Sequence, residues 1–268
     1  MVGEVGEWHH ALELMGRYTT GKRLHMAYSF DMLGFKYSAG HFRKTIEDFF
    51  AIAPKGWPCW AFSNHDVVRH ATRWQPFAKD TDALAKQAGA LLLSLEGSIC
   101  LYQGEETGQL ETELRYDELT DPQGLTFWPE DKGRDGCRTP MVWDAKAPNG
   151  GFSEANATWL PIKPPQLAHA VSEQGAGSVM QLYKDMLRLR RDEADLRNGR
   201  TEFLELPEPL LGFKRGGGVV CVFNLSPEGH SIEVPFAVDP LLAEGAELDG
   251  TRLVLAANGV MIGRIRGA

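Results

Sequence analysis

The sequence has no apolar run long enough to cross a bilayer as a helix, which takes about 20 consecutive residues. It has four cysteines, and Cys59, Cys100, Cys137 and Cys221 are too scattered for the paired spacing of a zinc site. Cys59 and Cys100 fall in runs that read as buried strands, where a free thiol behaves as a small hydrophobe, so a reduced, cytoplasmic setting is expected. There is no basic block. The 36 acidic residues outnumber the 28 Lys and Arg, and a net charge of -8 repels nucleic-acid phosphates. Internal repeats, charge runs and low-complexity segments are absent as well. No signal peptide opens the chain, which enters a strand almost at once; an export signal on an upstream segment would escape this reading.

What is present is the composition of a soluble globular protein, 43% hydrophobic and 24% charged over 268 residues. Val2–Val5 reads as a short strand containing Glu4, and residues 8–18 as a helix with Leu12, Met15 and Tyr18 on one face. Residues 23–30 alternate, with Leu24, Met26, Tyr28 and Phe30 on one face of a strand. Residues 39–53 carry Phe42, Ile46, Phe49, Phe50 and Ala53 at helical spacing before Pro54, and residues 81–95 repeat the pattern up to Gly97. Strands over residues 57–62 and 98–103 complete an alternation that implies a parallel sheet covered by helices, the α/β class.

Residues 104–177 lack periodicity, and a loop of that length in a compact domain is functional or disordered; its aromatics argue for an ordered lid. A last helix covers residues 178–192, with Arg188, Arg190 and Arg191 read as a solvated face. From about residue 198 short alternating runs at 203–206, 210–214, 219–225, 232–236, 253–256 and 260–265 describe a small all-β domain. Gly216-Gly217-Gly218 and Asn258-Gly259 are its expected hairpin turns.

The chemistry concentrates at residues 61–69. An apolar run ends in Asn64-His65-Asp66, the pattern of a buried strand whose carboxyl end carries function; an ordinary polar turn is the bland alternative. Ser63-Asn64-His65-Asp66-Val67-Val68-Arg69 resembles the seventh-strand motif of the α-amylase superfamily of glycoside hydrolases, in particular its bacterial α-glucosidases. Val2-Gly3-Glu4-Val5, Leu101-Tyr102-Gln103-Gly104-Glu105-Glu106 and Arg134-Asp135-Gly136-Cys137-Arg138-Thr139-Pro140 fit the same family in the same order. The resemblance covers the whole chain but only the carboxyl-terminal half of the family. It implies strands five to eight of a (β/α)8 barrel over residues 1–197, then a β-sandwich domain over 198–268.

By that resemblance Glu4 is the general acid/base, and Asp66 the carboxylate that grips sugar hydroxyls and stabilises a cationic transition state. His65 donates to the same sugar ring. Arg138 helps shape the pocket beyond the cleaved bond or makes a structural salt bridge, and Phe30 offers shape and stacking surface. A retaining glycosidase needs two carboxylates flanking the bond, and the acid must hold its proton near neutral pH, which burial favours. Glu4 on an apolar strand end suits that role, with Glu7 as a nearby decoy. Trp57, Trp60, Trp74, Phe62 and Tyr102 supply aromatic faces, most of them in the core. The family's nucleophile, an Asp in a Gly-Phe-Arg-x-Asp segment on the fourth strand, has no match in these residues.

The implied function is hydrolysis or transfer of terminal α-linked glucose from an oligosaccharide, with no cofactor and no metal, and with no activity from this chain alone. Self-association, or docking with an amino-terminal half, is the expected partnership. A non-catalytic interaction protein on the same fold is the alternative. A metallohydrolase using His65, Asp66 and the His9-His10 pair lacks a suitable ligand spacing.

Overall fold

The computed structural model describes residues 1–7 and 9–267. Strand and helix alternate as β1 (Val2–Val5), α1 (Ala11–Thr19), β2 (Met26–Ser29), α2 (Ala39–Ile52), β3 (Cys59–Trp60), the short α3 (His70–Arg73), α4 (Thr81–Ser94) and β4 (Ser98–Ile99). β1 pairs in parallel with β2, and β3 with β4, while an isolated parallel bridge between Ala27 and Pro58 links the two pairs. The strands are shorter than the apolar runs that contain them, and the run over residues 57–62 yields only the two residues of β3.

The period-two pattern survives this shortening. Tyr28, Cys59 and Ala61 pack with Met26, Phe30 and Cys100 on one face, while Ala27, Trp60, Phe62 and Ile99 join the helices on the other. Burial on both faces is what a helix-covered parallel sheet requires. The helices begin where a side chain can satisfy their free amides: Ser38 accepts from His41 N at 3.2 Å, Asp80 from Asp82 N at 2.9 Å and Ser178 from Gln181 N at 3.2 Å. α1 starts at Ala11, and Trp8, with which its pattern opens, lies outside the described residues. Tyr18 does not share the buried face of α1, where Ala11, Met15, Gly16 and Thr19 pack instead.

Residues 104–177 hold short helical turns, among them α5 (Pro122–Phe127) and α6 (Pro164–Leu167), and no strand. Polar bonds organise them. The buried Asp135 accepts from Thr120 N at 2.6 Å and Asp121 N at 2.8 Å, so one carboxylate folds the loop back on itself.

α7 (Val179–Asp192) and α8 (Ala194–Asn198) follow. Here the structure corrects the sequence reading, because Arg190 is not on a solvated face. It donates to Leu93 O at 2.6 Å, Leu95 O at 2.9 Å and Gly97 O at 2.6 Å, tying α7 to the end of α4 and the turn into β4. Arg188 and Arg191 alone of the three are exposed. At that turn Gly97 has φ +116°, and a Cβ there would stand 2.8 Å from Pro58 O.

Six antiparallel strands complete the described chain: β5 (Thr201–Phe203), β6 (Leu210–Arg215), β7 (Val219–Asn224), β8 (His230–Glu233), β9 (Val238–Asp249) and β10 (Arg252–Ile265). Gly216-Gly217-Gly218 closes the β6–β7 hairpin. Asn258-Gly259 does not make a turn. Asn258 sits inside β10 with φ 52°, where the register with β9 shifts between Leu255 and Val260. Below this irregularity β10 pairs with β8, and above it with β7. β9, twelve residues long, has no counterpart in the sequence reading because its side chains are mostly polar or exposed.

Phe213, Cys221, Phe223 and Ile262 extend the helix-covered core, whereas Leu210, Val220, Val222 and Met261 on the opposite face build a second one. The buried Gln87 of α4 donates to Asn224 O at 2.6 Å and clips the sheet to the helices. Among the described residues, no helix is long and apolar enough to cross a membrane.

Candidate active site

Parallel strands deliver their carboxyl-terminal ends to one rim, and the polar residues collect there. Glu4 comes from β1, Tyr28 from β2, and Asn64, His65 and Asp66 from the segment after β3. Glu4, His65 and Asp66 each offer a donor atom within 4.8 Å of the others. Asn64 Oδ1 accepts from Asp66 N at 2.9 Å, a side-chain turn that aims the Asp66 carboxylate. Tyr28 donates its hydroxyl to Glu4 Oε2. Burial, reinforced by the Glu4 carboxylate, pushes the Tyr28 phenol well above its ordinary range, so it stays a donor.

Two arginines from the long loop close over Asp66. Its Oδ1 accepts from Arg138 Nη2 at 2.9 Å and from Arg134 Nη1 at 3.1 Å, and its Oδ2 lies 3.5 Å from His65 Nε2. Arg138 Nε also donates to His65 O at 2.7 Å, so a single guanidinium spans both residues. Arg134 is itself held by Asp121 through Nε at 3.0 Å and Nη2 at 2.9 Å, a two-pronged pairing. That guanidinium holds the Asp121 carboxyl well below the usual carboxylate range.

Beneath this layer lies the buried Arg69. It donates to Gln103 O at 2.6 Å and Cys137 O at 2.9 Å, and it stands over the Tyr102 ring at 5.2 Å. Gly104, with φ +87°, makes room for it, since a Cβ would meet Arg69 Nη1 at 2.8 Å. Burial pushes Glu105 up to about 8 and Glu111 up to about 7. Both folded-state values exceed the ordinary 4.5, so the folded chain keeps protons that the unfolded chain has released. The stability they contribute is therefore full below that value and is lost as pH rises towards 8. The urea midpoint is expected to fall between about pH 5 and pH 8, and Glu105→Gln to flatten the slope. An unchanged slope in that variant would contradict the assignment.

The structure brings together Glu4, His65, Asp66 and Arg138, and corrects the surroundings of the first. Glu4 is exposed, not buried, because among the described residues β1 has a strand neighbour on one edge only. Phe30 packs against the Tyr28–Cys59–Ala61 cluster. Glu7 accepts from His9 N at 2.9 Å and from His10 N, which gives it a local role at the start of α1. Among the described residues, the group able to share a cation is Glu4, His65 and Asp66, without His9 or His10. Two guanidiniums on Asp66 oppose a further positive charge there. Trp60, Trp74 and Phe62 are buried core, whereas Trp57 is exposed and donates to Ser98 Oγ at 2.8 Å.

Sequence reasoning passed over three members of the site. Tyr28 was legible as an inward residue of an alternating strand, and Arg134 as the first residue of the Arg-Asp-Gly-Cys-Arg motif. Asp121 had no local signal.

Comparison with known proteins adds an independent line. The family model described as the α-amylase catalytic domain matches residues 1–199. A probable α-glucosidase of Rhizobium meliloti (strain 1021) is 46% identical over 252 residues, 91% of this chain and 45% of the relative. An oligo-1,6-glucosidase of Heyndrickxia coagulans is 29% identical over 182 residues, 60% of this chain and 32% of the relative. Among solved structures, the α-glucosyl transfer enzyme XgtA superposes with a TM-score of 0.91 at 42% identity, over 99% of this chain and 50% of that one. The chain thus spans about half the length of the Rhizobium relative and of XgtA.

Proposed function

Because the chain belongs to the α-amylase catalytic-domain family, we propose that it is the carboxyl-terminal half of a retaining α-glucosidase acting on terminal α-linked glucose of oligosaccharides. The observation that carries this reading is the convergence of Glu4, His65 and Asp66 within 4.8 Å at the carboxyl ends of parallel strands. In this reading residues 1–197 supply strands five to eight of the (β/α)8 barrel, with 104–177 as the long loop over the site. Residues 198–268 form the β-sandwich domain, whose two cores fit a sheet folded across the β10 irregularity.

Glu4 protonates the glycosidic oxygen as the bond breaks and later takes a proton from the attacking water. Asp66, fixed by Arg134 and Arg138, presents Oδ2 to the sugar hydroxyls and opposes the positive charge that develops on the ring. His65 donates to the same ring. The nucleophile comes from the complementary half, whose first strand-pairing contact is the open edge of β1. Packing there also supplies the burial that a general acid needs and that Glu4 lacks here. A non-catalytic role on the same fold is less well supported, since Glu4, His65 and Asp66 are all kept in one constellation.

The test is an assay on a chromogenic α-glucoside, using the 268-residue chain alone and co-expressed with the amino-terminal half of the Rhizobium relative. No turnover is expected from the chain alone, and retaining turnover from the pair. Turnover by the isolated chain that Glu4→Gln abolishes would overturn the assignment of the nucleophile to the other half.

A further inference from the structure

Two of the four cysteines meet on the sheet face opposite the helices. Cys59 lies in β3 opposite Ser98 of β4, and Cys100, two residues beyond Ser98, points to the same face. Cys100 N donates to Trp60 O at 2.9 Å, which fixes this register. Both thiols are free, and both belong to the cluster that holds Tyr28, Leu33 and Ala61. Cys59 is 1% exposed, while Cys100 is half-buried and opens the pair to solvent. A hydrogen bond between the thiols lowers Cys100 from the ordinary thiol range, and that bond, with burial, pushes Cys59 above it.

Offset by two residues on adjacent parallel strands, Cys59 and Cys100 share a face without standing directly opposite each other, whereas a disulfide needs Cβ atoms only about 4 Å apart. A single larger atom bonded to both sulfurs holds them further apart than the roughly 2 Å of a direct S–S bond. We propose that Cys59 and Cys100 form a dithiol site for a soft, thiophilic centre that makes two bonds to sulfur, with trivalent organic arsenic as its representative. Soft thiolate ligands select such centres over hard cations. The other two cysteines offer no second sulfur: Cys137 donates to Arg134 O at 3.1 Å, and Cys221 is buried in β7.

With phenylarsine oxide the chemistry is balanced and involves no redox change. Two As–S bonds form, the arsenic–oxygen bond breaks, and the oxygen leaves as water with both thiol protons. The second bond closes within one chain, so its high effective concentration makes the adduct resist excess monothiol. Because Tyr28 shares the cluster and donates to Glu4, the site adjoins the candidate active site. It does not depend on the proposed activity.

Intact-mass titration of the full chain with phenylarsine oxide tests it. One arsenical per chain is expected, stable to excess glutathione and removed by ethanedithiol. Cys59→Ala and Cys100→Ala should each weaken binding roughly 100-fold or more by removing the chelate. The paired Cys137→Ala, Cys221→Ala chain should bind as before. Circular dichroism checks each fold, and the half-buried Cys100 position keeps the test available if Cys59→Ala unfolds. Undiminished binding by Cys100→Ala, or loss of the wild-type adduct to glutathione, would overturn the proposal.

Discussion

In the chain assembled with a complementary amino-terminal half, Glu4→Gln and Asp66→Asn are each expected to lower turnover by roughly 10²–10⁴-fold, for different reasons. Glutamine keeps the shape of Glu4 and its bond from Tyr28 but carries no transferable proton. Its defect should therefore be largest with poor leaving groups and smallest with an activated nitrophenyl glucoside. Asparagine at 66 keeps the Asn64 turn but no longer balances Arg134 and Arg138, so unopposed positive charge faces a cationic transition state. That loss should be nearly the same for every leaving group. Glu7→Gln serves as the control, since Glu7 caps the approach to α1. If Glu7→Gln proved as damaging as Glu4→Gln, or the two site variants had the same leaving-group dependence, these roles would be wrong.

Arg69→Met should be the most destabilising single change near the site, by roughly 2–4 kcal/mol. Methionine fills much of the volume, but Gln103 O and Cys137 O lose their donors inside the protein. The guanidinium of Arg69 joins the stretch that follows β4, through Gln103 O, to the long loop, through Cys137 O. A melting temperature lower by roughly 5–15 °C is expected by calorimetry. Since Arg69 bonds to Glu111, Gln103 and Cys137 and not to Glu4 or Asp66, activity at low temperature should survive better than stability. A drop of less than about 1 kcal/mol would show that the arginine is dispensable to the scaffold.

Local sequence pattern is enough to specify the alternation of strand and helix, the buried faces of most elements, and the motif that brings Asn64, His65 and Asp66 to a strand end. These are local properties: a side chain's face follows from its place in a period of 2 or 3.6, and a cap acts within a few residues. Tertiary packing decided the rest. Arg190 lies in an arginine cluster that reads as solvated, yet three carbonyls at the end of α4 capture it. Asn258-Gly259 is a hairpin signal, but both of its flanks belong to one strand that changes partners, so its left-handed residue serves an irregularity. Asp121 and Arg134 have no short-range reason to matter to Asp66, 68 residues from the arginine, until the loop returns over the strand ends. Glu4 shows the limit most clearly. Its position on an apolar strand was readable, but its burial depends on what packs against the other edge of β1, and no pattern within the strand encodes that.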